Sequence, residues 1–209
     1  IHGVSKKKFN AHKNGSKLDS VVLASQEGIT WLYYDENSKD WKIEQIGEGE
    51  QGEFEVTGYR GSANLDVGKI GDDEFSYIPT IEPFHGNKVA VYVKEKNGLL
   101  NSVKWKRFIL DTYKDPDNHG EGPGHHVICG DFDGDGDDEF LVALRGPKPW
   151  QGVYYYKAID IENGVFAKWH ITTDSAARIA VADFNGDGRL DFATMGYWVP
   201  GYYEASTPE

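Results

Sequence analysis

Asp131-Phe-Asp-Gly-Asp-Gly-Asp-Asp-Glu139 and Asp183-Phe-Asn-Gly-Asp-Gly-Arg-Leu-Asp191 are two copies of one pattern. Each sets polar side chains at alternate positions around glycines that permit a tight turn, which is how a short loop wraps a hard cation. The alternate residues are Asp131, Asp133, Asp135, Asp137 and Glu139 in the first copy. In the second they are Asp183, Asn185, Asp187, Arg189 and Asp191. A Ca²⁺ or Mg²⁺ loop is expected at both. An EF-hand needs Glu at the twelfth loop position, where Val142 and Thr194 stand. The last acid falls at the ninth position instead, and a β run follows at once, Phe140-Leu-Val-Ala143 and Phe192-Ala-Thr-Met195. The loops therefore belong inside β-hairpins. A metal-free acidic turn is the plain alternative; the agreement of two copies in spacing favours the cation.

The hairpins sit in a longer repeat. Trp41-Lys-Ile-Glu-Gln-Ile46, Trp105-Lys-Arg-Phe-Ile-Leu110 and Trp169-His-Ile-Thr-Thr173 follow one another at intervals of 64 residues. Ahead of each lies an aromatic run: Ile29-Thr-Trp-Leu-Tyr-Tyr34, Val89-Ala-Val-Tyr-Val93 and Val153-Tyr-Tyr-Tyr-Lys157. Further upstream come Asp19-Ser-Val-Val-Leu-Ala24, Glu74-Phe-Ser-Tyr-Ile78 and Glu139-Phe-Leu-Val-Ala143, preceded by short runs such as Val127-Ile-Cys-Gly130 and Ile179-Ala-Val-Ala182. Four strands per unit, repeated radially, describe an all-β fold of the β-propeller kind. The units divide the chain into blades at 1–57, 58–114 and 122–174, with a fourth beginning over 175–209, about three and a half in all. Propellers close with four to eight blades. The missing ones are expected from another chain, a symmetry mate or sequence removed from this one. In the early units the cation loop is worn: Asp66-Val-Gly-Lys-Ile-Gly-Asp-Asp-Glu74 lacks central ligands, and only Asn14-Gly15 remains before Asp19. Both are expected to hold their turns without metal.

Composition narrows the function. A formal charge of −12 argues against a nucleic-acid partner. A lone cysteine, Cys129, excludes an intrachain disulfide framework and leaves the compartment open. No apolar run is long enough to span a membrane, and no signal peptide is visible. The chain starts at Ile1 in mid-pattern, as a processed or truncated chain would.

In a propeller the cation loops share one face. The opposite face is built from the loops between blades and those between second and third strands. The first kind contributes Tyr59-Arg-Gly-Ser-Ala-Asn64, Gly124-His-His126 and Ser175-Ala-Ala-Arg178. The second contributes Glu82-Pro-Phe-His-Gly-Asn87, Arg145-Gly-Pro-Lys-Pro-Trp150 and Tyr197-Trp-Val-Pro-Gly-Tyr202. His2, opening the first inner strand, joins them. Histidines beside a carboxylate suit Zn²⁺ or acid–base catalysis near neutral pH. His85 and His125 point to the centre. His126 is expected on the other side of its strand, and His12, His119 and His170 in solvent. Arg60, Arg145 and Arg178 are candidates to hold substrate oxygens, and Trp150, Trp198 and Tyr202 to stack on sugar rings. Ordinary loop packing and surface ion pairs are the competing explanations for each.

These loops resemble the fungal aldos-2-ulose dehydratase/isomerase family, also described as 1,5-anhydro-D-fructose dehydratase. The resemblance is carried by Gly61-Ser-Ala63, Val67-Gly-Lys-Ile-Gly-Asp-Asp73, Glu82-Pro-Phe-His-Gly-Asn87, His125 through Ala143, Ala177-Arg-Ile-Ala180 and Val199-Pro-Gly-Tyr-Tyr-Glu204. The aspartate-rich loops, of the FG-GAP/VCBS kind, are shared with integrins and many lectins. The Glu82–Asn87 loop and the Val199–Glu204 ending are more specific. The resemblance implies the second half of a seven-bladed propeller, a zinc-dependent hydro-lyase acting on a keto-sugar, and structural Mg²⁺ or Ca²⁺ in the loops. His2, His125 and the Glu82/His85 pair match positions of that family; from position we expect His2, His85 and His125 to hold the Zn²⁺, with Glu82 orienting or serving as base. The cupin and lectin-like parts of that family have no counterpart here. A sugar-binding propeller with structural cations only, a propeller polysaccharide lyase and an interaction scaffold are the alternatives.

Overall fold

The computed structural model describes residues 1–7, 18–52, 57–95, 103–113, 121–146 and 148–196. Four antiparallel sheets follow one another along the chain. The first runs β1 (Gly3–Lys7), β2 (Ser20–Ser25), β3 (Gly28–Asp35) and β4 (Asp40–Gly47), paired in that order. The second holds β5 (Asn64–Leu65), β6 (Gly68–Ile70), β7 (Asp73–Glu82), β8 (Lys88–Lys94) and β9 (Trp105–Thr112), in the order β5-β7-β8-β9 with β6 added beside β7. The third is β10 (Gly124–Gly130), β11 (Glu139–Leu144), β12 (Gly152–Asp160) and β13 (Val165–Thr172). The fourth, as described, is the pair β14 (Arg178–Ala182) and β15 (Asp191–Met195). This is a β-propeller of four-stranded blades. Among the described residues, no helix is long and apolar enough to cross a membrane.

The strand compositions follow from where each strand sits. β11, Glu-Phe-Leu-Val-Ala-Leu, is buried at every residue because a sheet lies on both of its faces. The outer strands β4, β9 and β13 carry the repeating tryptophans and leave Ile43, Ile109 and Trp169 exposed at the rim. Apolar side chains fill the seams between sheets. Val22, Ile29, Trp31, Phe75, Ile78 and Tyr92 close the first seam. Tyr77, Val91, Val93, Phe140, Val142 and Tyr156 close the second, where the Phe140 and Tyr156 rings stack at 4.7 Å and 3°. Leu141, Ala143, Val153 and Ile179 lie in the third.

Polar side chains stitch the inner strands together. Asn64 Oδ1 accepts the Val127 N–H at 2.7 Å. Asp66 accepts the Ser5 hydroxyl at 2.7 Å and the Cys129 N–H at 2.9 Å. Two carboxamide or carboxylate side chains on the second inner strand thus register the first and third. The run that looked like a worn loop, Asp66 to Glu74, supplies the short strand β6, with Gly68 opposite Tyr77 and Ile70 opposite Asp73. The Asn14-Gly15 stretch lies outside the described residues.

Candidate active site

The two cation loops are wired alike. Asp131 accepts the N–H groups of Gly134 and Gly136 at 2.7 and 3.0 Å; Asp183 accepts those of Gly186 and Gly188 at 2.6 and 2.8 Å. The ninth-position acid accepts the second-position N–H in each, Glu139 from Phe132 and Asp191 from Phe184, both at 3.0 Å. All four glycines have φ between 78° and 94°, a conformation that side chains with a Cβ rarely adopt. Asp131, Asp133 and Glu139 bring ligand oxygens within 4.8 Å of one another, the one such group among the described residues. These three could hold a hard cation. Lys157 currently reaches the same oxygens, pairing with Asp133, with Asp135 at 2.7 Å and with Glu139 at 3.1 Å.

On the opposite face the structure brings His2, His85 and His125 together. Ring centroids are 5.1 Å apart for His2–His85, 5.5 Å for His85–His125 and 6.5 Å for His2–His125. Each ring is anchored through Nδ1. His2 Nδ1 lies 3.0 Å from the Ala63 carbonyl. His125 Nδ1 lies 2.6 Å from the Ala177 carbonyl. His85 Nδ1 lies 3.0 Å from Glu121 Oε1. An oxygen acceptor at Nδ1 keeps the proton there and puts the lone pair of the neutral ring on Nε2. Burial pushes the His125 imidazole down to about 3, helped by the Arg145 charge. Burial also lowers His2, against the opposing bond to Ala63. Both rings are therefore neutral at pH 7, the state in which histidine binds metal.

The local backbone explains the aim of each ring. Gly124 pairs with Leu144 and His126 with Ala143, so His125 is the extra residue of a β-bulge, a device that re-aims a side chain. His126 Nδ1 accepts the Ile179 N–H at 3.3 Å, on the strand that follows Ala177. His85 sits in the β7–β8 turn at φ 46°. Phe84 stacks on it at 4.5 Å and 14°, and Tyr59 and His2 meet Phe84 edge-on at 4.7 and 4.4 Å. Beside His2 a cleft of about 280 Å³ opens between Ser25, Gln26, Tyr59 and Phe84. Small-ligand sites begin near about 300 Å³.

A scan against family models matches residues 1–95 to the β-propeller domain of aldos-2-ulose dehydratase. Over those residues the chain is similar to that family's propeller. Residues 131–194 also match an FG-GAP-like repeat. A curated relative, aldos-2-ulose dehydratase from Phanerodontia chrysosporium, is 39% identical over 202 residues, 92% of this chain and 22% of the relative. The chain thus spans about a fifth of that aldos-2-ulose dehydratase.

Other expected site residues of this propeller fall elsewhere. Glu82, 0% exposed, does not pair with the histidines; Arg107 binds its carboxylate through Nε and Nη2 at 2.9 and 2.5 Å. Burial pushes that carboxyl up, against the Arg107 charge. The carboxylate at the histidines is Glu121, which sequence reading missed. Burial would raise it, but the His85 and Arg145 bonds prevail and hold it at about 2. Arg145 is 1% exposed and faces Glu121 and Gly122, not solvent. Arg178 is exposed, and its charge reaches both His2 and His125. Arg60 is exposed, with its charge felt at Glu27. Trp150 packs against Tyr113 at 6.1 Å. His170, exposed, stacks on Tyr154 at 4.1 Å. Tyr202, Trp198, His12 and His119 lie outside the described residues.

Proposed function

We propose that the histidine face is the active site of a carbohydrate dehydratase, a hydro-lyase removing water from a keto-sugar of the 1,5-anhydro-D-fructose or aldos-2-ulose kind. The observation that carries the reading is the shared anchoring of His2, His85 and His125 through Nδ1, in a chain similar to this family's propeller. Donor type and tautomer suit Zn²⁺ at all three rings, and the neutral state of His2 and His125 suits it as well. Imidazoles on one zinc ion, with Zn–N of about 2.0–2.1 Å, have ring centroids about 5 Å apart. The His2–His125 spacing is wider, and the three imidazoles as placed do not bring one nitrogen each within 4.8 Å of one another, so binding one ion would draw His2 and His125 together. Bound by these rings, zinc would act as a Lewis acid toward a carbonyl oxygen.

The chain's own residues do the remaining work in this proposal. Phe84 and Tyr59 wall the site and present aromatic surface to a sugar ring. Arg178 offers hydrogen-bond donors to a sugar oxygen beside His2 and His125. We assign Glu82 to the ion pair with Arg107 and no proton transfer. Structural Ca²⁺ or Mg²⁺ is proposed for the loops at Asp131 and Asp183, on the strength of their matched hydrogen bonding. Further blades, from this polypeptide or another, are proposed to complete the ring and with it the wall of the site.

Alanine at His85 or at His125 tests the reading. Zinc content and the rise in ultraviolet absorbance on mixing with 1,5-anhydro-D-fructose should both be lost. Full zinc uptake and turnover in either folded variant would overturn it.

A further inference from the structure

We propose that Glu121 and Arg145 form a positioning pair that fixes the ring of His85; its consequence for metal binding rests on the zinc reading above. The three histidines do not reach the site by the same route. His2 and His125 adjoin or belong to inner strands, and each finds a backbone carbonyl immediately ahead of the next inner strand, Ala63 or Ala177. His85 arrives from a turn, in the left-handed region at φ 46°. Its Nδ1 is met by a side chain instead.

That side chain is held in turn by a buried guanidinium. Glu121 Oε2 accepts from Arg145 Nη2 at 3.0 Å, and the same nitrogen donates to the Gly122 carbonyl at 3.1 Å. Glu121 is 7% exposed, and Arg145 is the largest fully buried side chain described. A buried guanidinium demands a carboxylate at a fixed place, and its planar fork sets the orientation. The backbone binds the same two segments. Gly122 N–H donates to the His85 carbonyl at 2.7 Å, Gly124 N–H to the Gly86 carbonyl at 2.9 Å, and Arg145 N–H to the Pro123 carbonyl at 2.8 Å. A Cβ on Gly122 would lie 2.4 Å from the Gly86 carbonyl carbon, so the close approach needs glycine. Arg145, 1% exposed, reaches His85 through Glu121, whose two oxygens face the guanidinium and the imidazole.

The readout is the ring nitrogens of His85 in the metal-free 209-residue chain, by ¹H–¹⁵N correlation NMR, together with Zn²⁺ affinity by competition with a chromophoric chelator. In wild type the His85 ring is expected as a single tautomer protonated at Nδ1. Arg145→Met should mix the tautomers and weaken Zn²⁺ binding by about 10- to 100-fold, the usual cost of losing an outer partner of a ligand. Arg145→Lys should restore part of both. Should Arg145→Met fail to fold, Glu121→Leu/Arg145→Met removes both charges at similar volume, a change that is often tolerated, and the same losses are expected. A folded variant of either kind in which His85 keeps one tautomer overturns the proposal. The tautomer is read without zinc, so a wild-type chain that takes up no zinc refutes the zinc reading while leaving the positioning pair to be judged by NMR.

Discussion

His125 and Ala177, 52 residues apart, meet across a seam between sheets: Nδ1 of the first is 2.6 Å from the carbonyl oxygen of the second. The same bond recurs two sheets earlier between His2 and Ala63. Burial at this seam pushes His125 down to about 3 and His126 down to about 4, from about 6.5 in an unfolded chain. Between those values the unfolded state binds more protons, so stability rises with pH. It is fully present above about pH 6.5 and drains away as pH falls toward 3. Glu121, held at about 2 against an ordinary 4.5, adds to the loss below pH 4.5. The urea midpoint of the metal-free chain should fall continuously from pH 7 to pH 4. A flat profile over that range would show the imidazoles to be solvated.

Glu82, fully buried, is ion-paired to a partly exposed Arg107, and we propose no proton transfer for it. Glu82→Gln should destabilise the fold by about 3 kcal/mol, as loss of one member of a buried pair does, while Glu50 still meets Arg107 at 3.4 Å. Zinc affinity should stay within about twofold. Urea titration and chelator competition check both parts; a large loss of zinc binding without loss of stability would return Glu82 to the site.

Lys157 pairs with Asp133, Asp135 and Glu139, oxygens of the loop proposed for Ca²⁺ or Mg²⁺, so an ion bound there would have to displace it. Lys157→Met should therefore tighten Ca²⁺ or Tb³⁺ binding at that loop, with the second loop unchanged. Sensitised Tb³⁺ luminescence measures this. Unaltered affinity would show that the lysine and the ion do not share the oxygens.

The seam between the second and third sheets depends on aromatic packing. Phe140 is fully buried and stacked on Tyr156. Phe140→Ala should cost about 3–5 kcal/mol, the usual penalty for an excavated aromatic. Ile43→Ser, at a side chain 75% exposed, should stay within about 0.5 kcal/mol. Urea midpoints of the two variants distinguish a core seam from a rim.

The repeats were readable because they are local. The tryptophans at 41, 105 and 169 each fall on the outer strand of a sheet, and the acidic loops fall between first and second strands. The gathering of His2, His85 and His125 was readable from propeller topology alone, since loops on one face share an axis. Glu121 was not, because its role arises from tertiary contacts. Nothing in the repeat marks it, and only the glycines around it, Gly122 and Gly124, signalled a close backbone approach. Glu82 misled for a related reason. It stands three residues from His85, but the chain turns between them, and a carboxylate with no exposure takes the nearest cation, Arg107, 25 residues away. Arg145 misled by residue type: a guanidinium in a surface-facing loop reads as a substrate hook, whereas burial makes it an internal brace.

The stitching of each imidazole to the next sheet has an architectural consequence. His2 and His85 come from the first two sheets; His125, Glu121 and Arg145 come from the third and the segment leading into it. A polypeptide divided between the second and third sheets would leave each piece with an incomplete set, and neither could assemble the cluster by itself. The histidine cluster is therefore a property of docking and not of any one sheet: parting the seam between the second and third sheets separates His85 from both Glu121 and His125, while each sheet keeps its own strand pairing.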